Sequence, residues 1–449
     1  MNPKNAKQLL IRYYPLIGVL MGSLIVAASM GTYTNWDAQL EYEATQKVTQ
    51  VGFPYVSSGY MINQPPLGFY IAAPFSSAYL DGVYVSTAFG LGAVALVYAL
   101  GTVLYGRRTG TFAASLFGLV PWHVYMSRIF LIDNQYLFWS LLFLIFGVLA
   151  VKKNSQKFVA FSGIFFALAF LTKLFAVFAL IPMVLIIIIC RKKSAFKLIP
   201  KNIFLFLLPS IILQAIWYGG FAHQNFEAVY FSTDLYHPVL VDAPLEYLST
   251  IYVNSAGNAL FLATVVSLAV ALVYEKRLNE LLRTDAVCIF TIVAISGLNM
   301  LLVLWFHLTV PYVSVFKYAY FALPFFCILA GAIADKAPLL LNSEDWKNKR
   351  EWVKAALIGL GFVLLLLSLL ESTRFLNSWV SYASFGVDSV TYYPFNLHTD
   401  TEYPGLVPTI HYVGLLLVVV SVFLPVLFDR IKGATEKTNS RLSDKNNPA

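Results

Sequence analysis

Apolar residues recur along this chain in long uninterrupted runs, and charged residues fall almost entirely between them. Runs of 15 or more lie near 9–31, 83–105, 110–126, 134–151, 158–172, 174–190, 201–221, 257–274, 286–306, 312–334, 355–370 and 408–428. Each approaches the roughly 20 residues that carry a helix across a bilayer. The pattern predicts an all-α polytopic membrane protein of about 12 transmembrane helices. Residues 158–190 need arbitration, because a single helix of that length would extend about 50 Å. Basic clusters flank both ends, so the run must fold back, and its only polar break is Thr172-Lys173.

Lysines and arginines orient the spans. Of the 31, all but Lys47, Arg128, Lys173, Lys317 and Arg374 fall on one side of the predicted topology. That side is cytoplasmic, with both termini, and the five exceptions lie on the outer side. The first run follows Lys4, Lys7 and Arg12 and is long for a signal peptide, so it reads as an uncleaved helix. The outer loop 32–82 is the largest and ends in Pro65-Pro66-Leu67-Gly68-Phe69-Tyr70, which predicts a short interfacial helix entered through its prolines. Ser127–Asp133 is expected as a short outer loop. Two further outer loops cover 222–256 and 371–407, and 429–449 reads as a disordered cytoplasmic tail.

Composition agrees. Hydrophobic residues make up 59% and charged residues 12%, against about 25% charged in soluble proteins. Mean hydropathy is +0.70. The net charge of +8 follows from the positive-inside distribution, so no nucleic-acid partner is implied. Cys190, Cys288 and Cys327 all fall in apolar runs without a CxxC spacing, which predicts neither a disulfide frame nor a zinc site.

No phosphate-binding loop, GxGxxG or HExxH occurs, which argues against a primary pump. The candidate chemistry is instead a set of sparse charges at the outer side. Asp37, Glu41 and Glu43 cluster where the first span emerges, and Arg128 and Asp133 bracket a short loop. Lys173 and Lys317 mark outer helix ends. Facing one cavity, these cations would grip a phosphate oxyanion; singly, each reads as an interfacial anchor snorkelling toward headgroups. His123, His223, His237, His307, His398 and His411 show no HxH or HxxxH spacing, which disfavours a histidine metal site.

Trp36-Asp37 with Glu41-Tyr42-Glu43, then Gly52-Phe53-Pro54-Tyr55, then Gln64-Pro65-Pro66, resembles the first outer loop of the GT-C membrane glycosyltransferases. The branch is that of protein O-mannosyltransferases, lipid A aminoarabinose transferases and Rgt-type transferases. The likeness continues through Ser127-Arg128 with Asp133, Leu171-Thr172-Lys173, and Lys317-Tyr318 with Leu323-Pro324. It covers residues 1–334 as a GT-C-like module. Residues 335–428, a C-terminal transmembrane region, and the tail 429–449 carry nothing specific.

The resemblance implies transfer of a sugar from a polyprenyl-phosphate carrier to a lipid, glycan or protein acceptor. It implies Asp37 as acid/base or acceptor-positioning group and Asp133 as a second site carboxylate. Arg128, Lys173 and Lys317 would contact the carrier phosphate. Ala38 stands where relatives often have Glu, with Glu41 one helical turn on as substitute, and Tyr42 beside it. Gln64 stands where relatives often have a basic residue or His. Asp133 has three open roles: binding the acceptor, orienting Arg128, or joining Asp37 on a divalent ion. Nucleotide sugars are cytoplasmic, so an external site calls independently for a lipid-linked donor. The competing expectations are a transporter or carrier-lipid flippase, and an inactive carrier-binding relative.

Overall fold

The computed structural model describes residues 3–29, 36–57, 64–191, 199–221, 288, 290–294, 320–341 and 412–422. Ten helices precede residue 215 among them. They are α1 (Pro3–Ser29), α2 (Trp36–Val51), α3 (Leu67–Ala72), α4 (Tyr79–Tyr105), α5 (Arg107–Leu119), α6 (Pro121–Met126), α7 (Asp133–Lys153), α8 (Gln156–Thr172), α9 (Leu180–Arg191) and α10 (Pro200–Gln214). A π-helical turn, Ala215–Phe221, continues α10. Beyond it come α11 (Leu323–Leu341) and α12 (Tyr412–Val422). The loops 222–256 and 371–407, the tail, and the spans 257–274 and 355–370 lie outside the described residues.

Helix α7 is the hub. It packs on α4, α8 and α9, while α5 joins α4 to α11 and α1 leans on α4 and α5. Burial separates inner from outer helices: 72% of the apolar window of α7 is buried, against 11% for the window that starts α10. Ile203, Phe204, Leu207 and Ile211 of α10 point outward, as lipid-facing residues do when the surrounding medium is itself apolar. The helices Tyr79–Tyr105, Asp133–Lys153 and Pro200–Gly220 are long and apolar enough to cross a membrane, and shorter apolar helices accompany them.

Two long apolar runs are broken in the fold, for local reasons; the first was expected as a single span. The run 110–126 divides into α5 and α6 at Val120, which has φ −59° and ψ 124°. A residue before proline is pushed out of the helical region, and Pro121 follows. The run 158–190 breaks at Lys173, extended at φ −155° and ψ 134°, and resumes as a 3₁₀ helix, Leu174–Ala179, before α9. Met183 of α9 then packs against Gly147 near the far end of α7, so the chain has turned back as expected.

The described part of 32–82, expected as the largest outer loop, is mostly helical. Helix α2 ends at Gly52, whose φ of +84° suits glycine. The Tyr70 hydroxyl donates to the Gly52 carbonyl at 2.5 Å, tying α2 to α3. Helix α3 starts from Pro66, whose carbonyl accepts from the Phe69 and Tyr70 amides at 3.1 Å.

Ser127–Asp133 is not the exposed loop expected from sequence. Every residue in it is buried, with Arg128 the most accessible at 8%. Phe130 meets the rings of Tyr42 and Tyr79 edge-on, and Ile132 packs with Ala44 and Phe69. Helices α2, α3 and α4 therefore roof this segment over. Its aromatic and branched residues are what allow it to be covered.

Gly163 permits the backbones of α8 and α10 to touch: a Cβ there would lie 2.9 Å from Phe206 Cα and 3.0 Å from its carbonyl carbon. Gly163→Ala gains about 1 kcal/mol of helix propensity but forces two backbones apart, an overpacking cost of about 1–3 kcal/mol. The expected outcome is a lowered unfolding midpoint in detergent with helical content retained.

Candidate functional site

The centre of the site is an ion pair inside the bundle. Lys173 Nζ lies 2.7 Å from both carboxylate oxygens of Asp133, and each side chain is only 2% exposed. Helix geometry explains the placement. Asp133 opens α7 and Lys173 caps the C-terminus of α8, and these helices form an antiparallel hairpin. The positive end of one dipole thus faces the carboxylate and the negative end of the other faces the ammonium.

A second carboxylate reaches the same helix end from α2. Glu41 is 5% exposed, and its Oε2 accepts from the Ile132 amide at 2.9 Å. That amide precedes the first turn of α7, where backbone donors lack helical partners. Asp37 lies in the first turn of α2, half-buried and four residues before Glu41, hence on the same helix face. Tyr42 packs its ring against Tyr79 and Phe130, and burial, with a smaller effect from Asp81, raises its phenol above the ordinary value. Gln64 is half-buried just before the paired prolines.

The structure thus brings Asp133, Lys173 and Glu41 into one cluster. Arg128 is buried on the segment between α6 and α7. Lys317 and all the histidines except His123 lie outside the described residues.

Sequence reasoning did not single out Asn134, Gln135 or Tyr320. Gln135 is 1% exposed and its Nε2 donates to the Gly68 carbonyl at 3.2 Å, binding α7 to α3. Asn134 and Tyr320 are joined by a hydrogen bond. The available signal was the run Asp133-Asn134-Gln135, three polar residues at the start of an apolar span.

A divalent ion on Asp37 and Asp133 was one expectation. Both Asp133 oxygens are committed to Lys173, so a metal would have to share one buried anion with an ammonium. Among the described residues, no three His, Cys, Asp or Glu side chains come together as a metal-holding group.

Residues 63–217 match the dolichyl-phosphate-mannose-protein mannosyltransferase family, a stretch that includes Arg128, Asp133 and Lys173. A comparison with curated proteins gives no match. Among solved structures, ArnT from Cupriavidus metallidurans in the apo state is similar at TM-score 0.56 and 12% identity, over 94% of this chain and 78% of that one. The same enzyme bound to undecaprenyl phosphate matches at 0.54 and 11%, with the same coverage. The oligosaccharyltransferase AglB from Archaeoglobus fulgidus, in complex with an inhibitory peptide and a dolichol-phosphate, matches at 0.52 and 13%, over 84% of this chain. The chain spans 56% of that enzyme's length. The fold is that of the GT-C superfamily of membrane glycosyltransferases.

Removing one partner of the buried pair leaves an uncompensated charge. Asp133→Asn and Lys173→Met are each expected to cost about 3–5 kcal/mol, and the double variant less than their sum. Unfolding of the four proteins in matched detergent measures the coupling.

Proposed function

We propose that this chain transfers a sugar, a hexose or pentose, from a polyprenyl-phosphate carrier to an acceptor at the outer face of the cell membrane, with inversion at the anomeric carbon. The observation that carries the reading is the Asp133–Lys173 pair, buried at one end of the α7–α8 hairpin beneath the helix that holds Asp37 and Glu41. Ionisable groups placed at cost inside an apolar bundle mark function by default. The GT-C fold and the family match over residues 63–217 support transferase chemistry.

In this reading about 12 spans place both termini in the cytoplasm and the cluster outside. Asp37 accepts the proton of an acceptor hydroxyl as that oxygen attacks the anomeric carbon. The bond from that carbon to the carrier phosphate breaks, and the electron pair leaves with the phosphate. Arg128, Lys173 and Lys317 face the charge that develops there. Lys173 has three N–H donors and Asp133 engages it through two oxygens, so one donor is left for the phosphate. Asp133 holds that lysine, and Glu41 holds α2, with Tyr42 and Gln64 shaping the acceptor side. The acceptor is a lipid, a glycan or a protein.

The test is transfer in detergent from a labelled polyprenyl-phosphate sugar. Asp37→Asn should lower kcat by about 10²–10⁴-fold, the usual worth of a general base. An unchanged rate would remove Asp37 from the chemistry, and solute movement in liposomes without any transfer product would replace the reading by transport.

Chelation decides whether a divalent ion takes part: a transfer rate lost with EDTA and restored by a divalent ion assigns one to the site, and an unchanged rate assigns the reaction to side chains alone.

A further inference from the structure

Behind Asp133 lies a buried polar chain for which the proposed reaction has no direct use. Asn134 is fully buried. Its Nδ2 lies 2.9 Å from the Ser86 carbonyl, 2.9 Å from the Met126 carbonyl and 3.4 Å from Ser127 Oγ. Carbonyl oxygens only accept, so the amide nitrogen is fixed on that side and Oδ1 faces the other way. There it accepts from the Tyr320 hydroxyl. A phenol has one proton to give, so the Tyr320 oxygen must in turn accept from His123 Nδ1, 2.6 Å away. His123 therefore carries its ring proton on Nδ1. The polarity is set from end to end: His123 donates to Tyr320, Tyr320 to Asn134, and Asn134 to α4 and α6.

The geometry bears on Arg128. Met126 ends α6, and Asn134 pins its carbonyl. Ile132 is pinned at the other side by Glu41. Arg128 sits at a bend between two fixed points, on a segment of turns with one isolated bridge residue at Ile129. The Tyr320 and His123 rings are stacked, and both lie against Phe117, so the anchor is rigid.

We propose that Tyr320 and His123 are positioning residues that act through Asn134 to fix the Ser127–Ile132 segment, and with it Arg128, against the first turn of α7. The proposal rests on the transferase reading for its catalytic consequence. Its structural content is independent of that reading: Tyr320, 186 residues from Asn134 in sequence, locks the position of a short segment near the charged cluster.

The test uses the full-length protein and two readouts. In Tyr320→Phe, amide hydrogen exchange across Ser127–Ile132 should quicken by about 10-fold or more, while amides of α8 keep their protection. In the transfer assay kcat should fall by about 10–100-fold through misplacement of the phosphate grip, with KM for the carrier little changed. Tyr320→Phe should add nothing further in an Arg128→Ala background, because the positioning acts through Arg128. His123→Asn, whose amide nitrogen is bonded to Cγ as Nδ1 is and can still donate to Tyr320, should retain most of the rate, whereas His123→Leu should behave like Tyr320→Phe. Unchanged exchange in Ser127–Ile132 overturns the proposal. So does a kcat loss that multiplies with that of Arg128→Ala, which would mark a merely structural role. If wild type transfers no sugar, the functional reading fails, and the exchange measurement still decides whether Tyr320 sets this segment.

Discussion

Two opposite charges shut away from solvent set the terms for the rest of the fold. Taking Asp133 and Lys173 out of water costs several kcal/mol per ion, which their attraction offsets only with good geometry. The geometry is supplied by many parts. The turn between α7 and α8 brings a helix N-terminus beside a helix C-terminus. The extended residue at 173 frees the lysine from helical continuation. Helices α2 and α3 then attach to the same end of the hairpin, Glu41 at the Ile132 amide and the Gly68 carbonyl at Gln135. Such a cluster is poor value as a stabiliser, since apolar residues would pack there as well, and this is why it points toward chemistry.

The roof is attached by polar contacts to backbone as well as by its apolar packing. Glu41 engages the Ile132 amide, Gln135 the Gly68 carbonyl, and Tyr70 the Gly52 carbonyl. Each of these side chains comes from a different helix. Backbone groups left over at helix ends and in the Ser127–Ile132 segment have become the attachment points. The same features that would make an irregular segment costly in an apolar setting are what hold the site's cover in place.

How much of this could be read from the residues alone depended on which signal was local. Apolar runs gave α4, α7, α8 and α10 nearly to their ends, because span length is a property of consecutive residues. The reversal at Lys173 was legible through charge, since only a fold-back leaves basic clusters on one side. Pro121 was equally visible, yet the run around it still counted as one span because hydropathy does not register a φ restriction. Pairing was not legible: nothing in the order of residues says that Lys173 meets Asp133. Ser127–Asp133 looked like an exposed loop because it is short and flanked by charges. It is buried because a distant helix, α2, lies over it, and that is a tertiary fact.

The bond between Tyr320 and Asn134 also has a consequence in time. A ribosome adding about 5–20 residues per second needs about 10–40 s to make the 186 residues between them. Over that interval the hairpin of α7 and α8 has left the ribosome while the Asn134 carbonyl oxygen lacks its phenol. The nascent bundle thus waits, with an open polar seat in its interior, for a helix that arrives late in synthesis. The polar chain behind Asp133 is therefore complete only once the later part of the sequence has been made and packed against the earlier.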